Sequence, residues 1–133
     1  MINYKVGLQN VGSYQVSGRP WITGSAALAP GAADTITFPF VAKAVTVINT
    51  DTSGNDDIYV HFNTSSAGNV IGGLHYVALN DSKDSITFNT KCAQLHISAP
   101  AGNSGNSAYT VIAELTSITS DSMFELTGSG LTD

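Results

Sequence analysis

The stretch Val41–Phe62, VAKAVTVINTDTSGNDDIYVHF, decides the fold class. Val45 and Val47 alternate with Thr46 and Ile48, and Ile58, Val60 and Phe62 alternate with Tyr59 and His61. A period of two belongs to strands, because successive side chains of an extended backbone point to opposite faces. The run between them, Asp51–Asp57 (DTSGNDD), is dense in residues that turn a chain. Read locally, the stretch predicts a β-hairpin.

The pattern recurs outward in both directions. Toward the N-terminus, Asp34–Phe40 (DTITFPF) sets Ile36, Phe38 and Phe40 on one side. Pro39 has no N–H to give a ladder, so it marks a sheet edge or a bend. Trp21–Leu28 reads as a strand weakened by Gly24, and Ser13–Ser17 as another, with Tyr14 and Val16 on one face and Gly18-Arg19-Pro20 ending it. Toward the C-terminus, 63–73 is a loop and Leu74–Leu79 a strand. Ser85–Thr90 and Ala93–Ser98 form the next expected pair, with Ile86, Phe88, Leu95 and Ile97 inward. Ala108–Leu115 aligns Tyr109, Val111, Ala113 and Leu115. About nine short strands without a convincing helix predict a single all-β domain, an antiparallel sandwich or jelly roll. It would span 13–116, with an extended N-terminal arm at 1–12 and a C-terminal tail at 117–133.

At 133 residues, one domain can bury roughly two thirds of the surface its unfolded chain exposes. Only 11% of residues are charged, against about 25% in ordinary soluble domains. Ser, Thr, Asn and Gly take their place. Hydroxyls and amides cost less to bury against a neighbour than ions do, so this composition favours extensive protein–protein contact. A secreted-style β protein with a neutral surface is the alternative reading. The net charge is −5 and the isoelectric point lies near 4.8. Lys5, Arg19, Lys43, Lys83 and Lys91 are scattered and form no patch that would neutralise phosphates or anionic lipid, so neither nucleic acid nor membrane is an expected partner.

Cys92 is alone, so it has no partner for a disulfide within the chain. The opening MINYKVGLQNVGSY lacks the apolar run of a signal peptide, and no stretch approaches the ~20 apolar residues of a membrane helix. The expectation is a protein made in a cytoplasm, in which the Asn63-Thr64-Ser65 and Asn80-Asp81-Ser82 sequons are chance matches.

No motif carries chemistry. His61, His75 and His96 sit in different strands without metal-ligand spacing, and alternation turns His61 and His96 away from the core, as surface or interface residues. Asp51, Asn55, Asp56 and Asp57 make one loop rich in oxygen ligands, and turn formation and calcium coordination are its two readings. Nothing pairs Glu114 or Glu125 into an acid–base couple, and Cys92 reads as a small apolar residue at a strand start. No catalytic, cofactor-binding or metal residue is expected. Trp21, beside Arg19 and Pro20, reads as a core or inter-subunit anchor, with an exposed sugar platform as the alternative.

Six phrases together resemble a small structural protein of tailed bacteriophage virions, of the kind found in cyanophages and related marine phages. They are NVGSYQVSG (Asn10–Gly18), FPFVAKAVTVIN (Phe38–Asn49), VHF (Val60–Phe62), HYVAL (His75–Leu79), FNTKC (Phe88–Cys92) and MFELTGSG (Met123–Gly130). The likeness runs the length of the chain and carries no catalytic residue over. It implies a virion component made in the host cytoplasm. The expected role is a capsid decoration (cement) protein on the outer coat, with the major capsid protein, other virion proteins and copies of itself, as a trimer, for partners. A neck, tail or fibre-associated protein, or a carbohydrate-binding module for host attachment, are the alternatives. The expected inter-subunit contacts are Tyr4, Val6, Leu8, Trp21, Met123, Phe124, Leu126 and Leu131.

Overall fold

In a computed structural model, residues 19–52, 56–64 and 70–123 are described. Across them run seven strands: β1 (Arg19–Leu28), β2 (Ala33–Asn49), β3 (Ile58–His61), β4 (Val77–Leu79), β5 (Ser85–Phe88), β6 (Cys92–Ser98) and β7 (Ser107–Thr119). A single 3₁₀ turn, Ser120–Ser122, follows β7. Every pairing is antiparallel. The expected antiparallel all-β class is the class found.

The 17-residue β2 organises the rest. In its first half Ile36 and Phe38 are buried, at even positions; in its second half Val45, Val47 and Asn49 are, at odd ones. The phase slips where Val41 and Ala42 are buried in succession, and the ladder registers shift on both sides of the strand there, between Thr37 and Ala42 and between Phe40 and Ala44. A one-residue slip flips every later side chain to the other face. Pro39, without an N–H, sits at this irregularity. One strand therefore serves two neighbourhoods. Its first half pairs with β6, which continues to β3 and β4; its second half lies between β7 and β5, with β1 beyond β7. Side chains from both neighbourhoods meet in one hydrophobic cluster, Ile36, Phe38, Val60, Leu79, Leu95 and Ile97 with Val45, Val47, Val111, Ala113 and Leu115.

Two expected pairings are corrected. The stretch Val41–Phe62 is not a hairpin: β2 and β3 are separated by β6. The reason lies at the end of β2. Asn49 is fully buried, its Oδ1 accepts the Asp51 N–H, and its Nδ2 donates to the carbonyls of Asp56 (3.1 Å) and Leu79 (2.9 Å). Asp56 is tied to the β6–β7 connection, its Oδ1 accepting the Ser104 N–H at 2.9 Å and the Ser104 hydroxyl at 3.1 Å. Asn103 bridges the same two segments through the Asp57 N–H and carbonyl. These bonds carry the chain away from β2. Likewise β5 and β6 do not pair with each other; β5 joins the second half of β2 and β6 the first.

Boundaries shift modestly. The strand expected at 74–79 is confined to Val77–Leu79, and β7 runs to Thr119, past the expected domain end. The strand expected at 13–17, the arm at 1–12 and most of the tail fall outside the described residues. No helix among the described residues is long and apolar enough to cross a membrane.

Candidate functional site

The strand registers define two outward faces. On β1-β7-β2-β5, Ile22 stands opposite Ile112, Ile112 opposite Thr46, and Thr46 opposite Thr87. The adjacent row is Gly24, Thr110, Ile48 and Ser85. Ile22 is 67% exposed, Ile112 and Ile48 are half-buried, and the Thr46 and Thr87 hydroxyls bond each other at 2.8 Å. Charge enters this face at one end, where Lys43 and Glu114 approach to 4.0 Å with both side chains well exposed. Such a pair contributes little to stability. The face presents isoleucine and threonine.

The alternate residues point inward. Trp21 is half-buried and meets the ring of Phe38 edge to face, 5.3 Å between centroids. It is a core-side anchor, and the exposed sugar platform is corrected accordingly: on β1 the outward positions belong to Pro20 and Ile22.

The second outward face covers β2, β6 and β3. Across it His61 stands opposite His96, His96 opposite Thr35, and Thr37 opposite Gln94. Alternation does turn both histidines away from Val60 and Ile97, yet neither lies at the surface. His61 is 1% and His96 5% exposed. This corrects the surface reading, and the reason is hydrogen bonding within a covered face. The Asn63 carbonyl can only accept, so His61 Nδ1 carries the proton that binds it. His61 Nε2 then accepts the Ser98 hydroxyl, 3.0 Å away. His96 Nδ1 and the Thr35 hydroxyl are 3.1 Å apart. Burial pushes both imidazoles below their ordinary pKa; at His61 the Asn63 carbonyl opposes this, and at His96 the neighbouring His61 adds to it. Beside them Tyr59 and Tyr76 stack at 4.0 Å.

A groove of about 450 Å³ opens over this face. Thr37, Ala93, Gln94 and His96 lie on its β2 and β6 side, Phe62, Asn63 and Thr64 follow β3, and Ser120, Asp121 and Met123 come from the 3₁₀ turn. That turn is held in place because the Ser120 hydroxyl donates to the Phe38 carbonyl at 2.6 Å. Among the described residues the lining holds one carboxylate and no Lys or Arg.

Of the eight expected contact residues, Tyr4, Val6, Leu8, Phe124, Leu126 and Leu131 lie outside the described residues. Met123 lines the groove. In the Asp51–Asp57 loop, Asp56 is buried and its carboxylate clamps the Ser104–Gly105 backbone. Burial and the nearby Asp81 and Asp56 charges raise the pKa of Asp57. Among the described residues no cluster of His, Cys, Asp and Glu is arranged to hold a metal ion. The sequence reading missed the histidine pair and the groove, because both depend on β6 lying between β2 and β3, where a direct β2–β3 hairpin was expected.

No family model matches this chain, and neither a curated protein nor a solved structure does so.

Proposed function

We propose that this protein is a non-catalytic structural component that works by docking: a phage virion protein, bound as a decoration (cement) protein to the outer surface of the coat. Its partners are the major capsid protein and further copies of itself. The observation that carries the docking part is the outward face of Ile22, Ile112, Ile48, Thr46 and Thr87, with one exposed ion pair among the described residues. Covering apolar surface yields about 25 cal/mol per Å², and hydroxyls already bonded to each other cost little to cover. Few ions have to be stripped of water. Many modest contacts of this kind, repeated by the symmetry of a shell, add up through avidity. The excess of acidic residues suits a position away from packaged DNA. The assignment to a virion rests on the sequence resemblance.

The test is binding of the purified full chain to emptied phage heads, read by co-sedimentation and by electron cryomicroscopy of the particles. The expected result is density at symmetric positions on the outer coat, lost with Ile22→Asp while that variant melts like the parent. Density at the neck, tail or fibre base would move the protein to that part of the virion. Absence of binding to any particle component overturns the reading.

A further inference from the structure

We infer that the groove over β2, β6 and β3 is a binding site for a short, neutral saccharide. Its volume of about 450 Å³ falls within the ~300–1,000 Å³ of small-ligand sites.

The lining chemistry selects the ligand class. The exposed amide of Gln94 and the hydroxyl of Thr37, paired across β6 and β2, offer donors and acceptors together. A sugar hydroxyl likewise donates and accepts, so it is complementary to such a wall. Phosphates, sulfates and carboxylates need a cation, whereas among the described lining residues the charged side chain is Asp121. Phe62 adds an apolar wall, standing edge to face against Phe88 at 5.2 Å. A peptide adding as a strand needs an open ladder, and β6 is already paired on both sides, with β2 and β3.

His96 is the second, independent pointer. It is 95% buried by its 5% exposure, it lines the groove, and its Nδ1 is engaged by Thr35. Among the described residues its Nε2 makes no hydrogen bond. A buried polar atom without a partner is costly, and a ligand hydroxyl that reached Nε2 from the groove would satisfy it.

The experiment titrates the full chain with maltotriose, cellotriose, chitotriose and mannotriose, and with sialyllactose as the anionic counterpart. Calorimetry gives affinity, and the imidazole nitrogen resonances of His96 report the site. The expected result is that at least one neutral trisaccharide binds and shifts His96 Nε2, and that Gln94→Ala weakens it about tenfold, the scale of one lost hydrogen bond. Gly102→Ala, in the β6–β7 connection where an added Cβ meets nothing within 4 Å, leaves binding unchanged. Binding of sialyllactose alone, binding that Gln94→Ala does not weaken, or no binding of any of these sugars overturns the inference. Unchanged melting of Gln94→Ala, an exposed position, excludes misfolding as the cause.

Discussion

The rings of His61 and His96 lie parallel on adjacent strands, 5.9 Å between centroids and 5° apart in plane. Burial disfavours the charged form of both imidazoles. Burial lowers both pKa values from the ordinary 6.5, and a charge on His61 would further oppose one on His96. The unfolded chain takes up these protons near pH 6.5, while the folded chain resists until the pH is lower. The unfolded state therefore binds more protons in that window, and acid favours it. The stabilisation is complete above about pH 6.5 and is lost as the pH falls through the folded-state values, each unit of depression corresponding to about 1.4 kcal/mol. Thermal melts between about pH 8 and pH 5 should show Tm falling below pH 6.5, with carboxylate titration still small. A His61→Gln/His96→Gln double variant should flatten that fall. An unchanged slope in the double variant would place the acid sensitivity elsewhere.

Asn49 gives a second prediction. It ends β2 from a fully buried position and satisfies three backbone groups, those of Asp51, Asp56 and Leu79. Asn49→Ala leaves these without the amide. At ~1–3 kcal/mol for a buried group left unpaired, the loss should be about 2–4 kcal/mol once partial relaxation is allowed. Urea melts of Asn49→Ala and Asn49→Asp should both show it. In Asn49→Asp a carboxylate would face two carbonyl oxygens, so that variant should recover none of the loss.

Alternation is a local property, and this is why the strands themselves were legible. Ile36 and Phe38, Val45 and Val47, and the run Tyr109, Val111, Ala113 and Leu115 are buried as the period of two requires. Partner choice is not local. The run Asp51–Asp57 carries the composition of a hairpin loop, yet Asn49 and Asp56 spend their hydrogen bonds on Leu79 and Ser104, residues far along the chain. One signal was present: Asn49 continues the inward parity of Val45 and Val47. An amide at a core position must either end the strand or find buried partners, and here it does both. The candidate groove was less legible still. Alternation turned His61 and His96 to the outer face correctly, but the groove over that face is lined in part by Asn63, Ser120 and Met123, outside the periodic segments.

Gly24 gives a third prediction, at a position where two backbones press together. A Cβ there would lie 2.6 Å from the carbonyl oxygen of Tyr109 across the β1–β7 ladder. That oxygen belongs to the backbone and cannot swing aside. Gly24→Ala should therefore destabilise by about 1–3 kcal/mol, as overpacking does, even though alanine ordinarily suits a strand no worse than glycine. Gly102 is the control, since a Cβ there meets nothing within 4 Å. Gly102→Ala should fall within about ±0.5 kcal/mol of the parent in the same denaturant melts. Equal effects at both positions would mean that β1 can lift from β7 without cost.

Cys92 gives a fourth. It begins β6 opposite Ala42 of β2, with no exposed surface, inside the hydrophobic cluster. Burial pushes its thiol up to about 12, well above the ordinary range, and the thiolate is the reactive form. A thiol so placed reacts only when the strand opens. With Ellman's reagent near neutral pH, labelling of the native chain should be slower than labelling of the urea-unfolded chain by a factor of about 10³ or more, the scale of a domain's folding equilibrium. The rate should climb with urea through the unfolding transition. Cys92→Ala should keep the fold at a modest loss, whereas Cys92→Ser places a hydroxyl among apolar neighbours and should cost about 1–3 kcal/mol. Rapid native labelling that does not respond to urea would mean that the β2–β6 seam, the junction at which one strand turns from one set of partners to the other, is open in the folded protein.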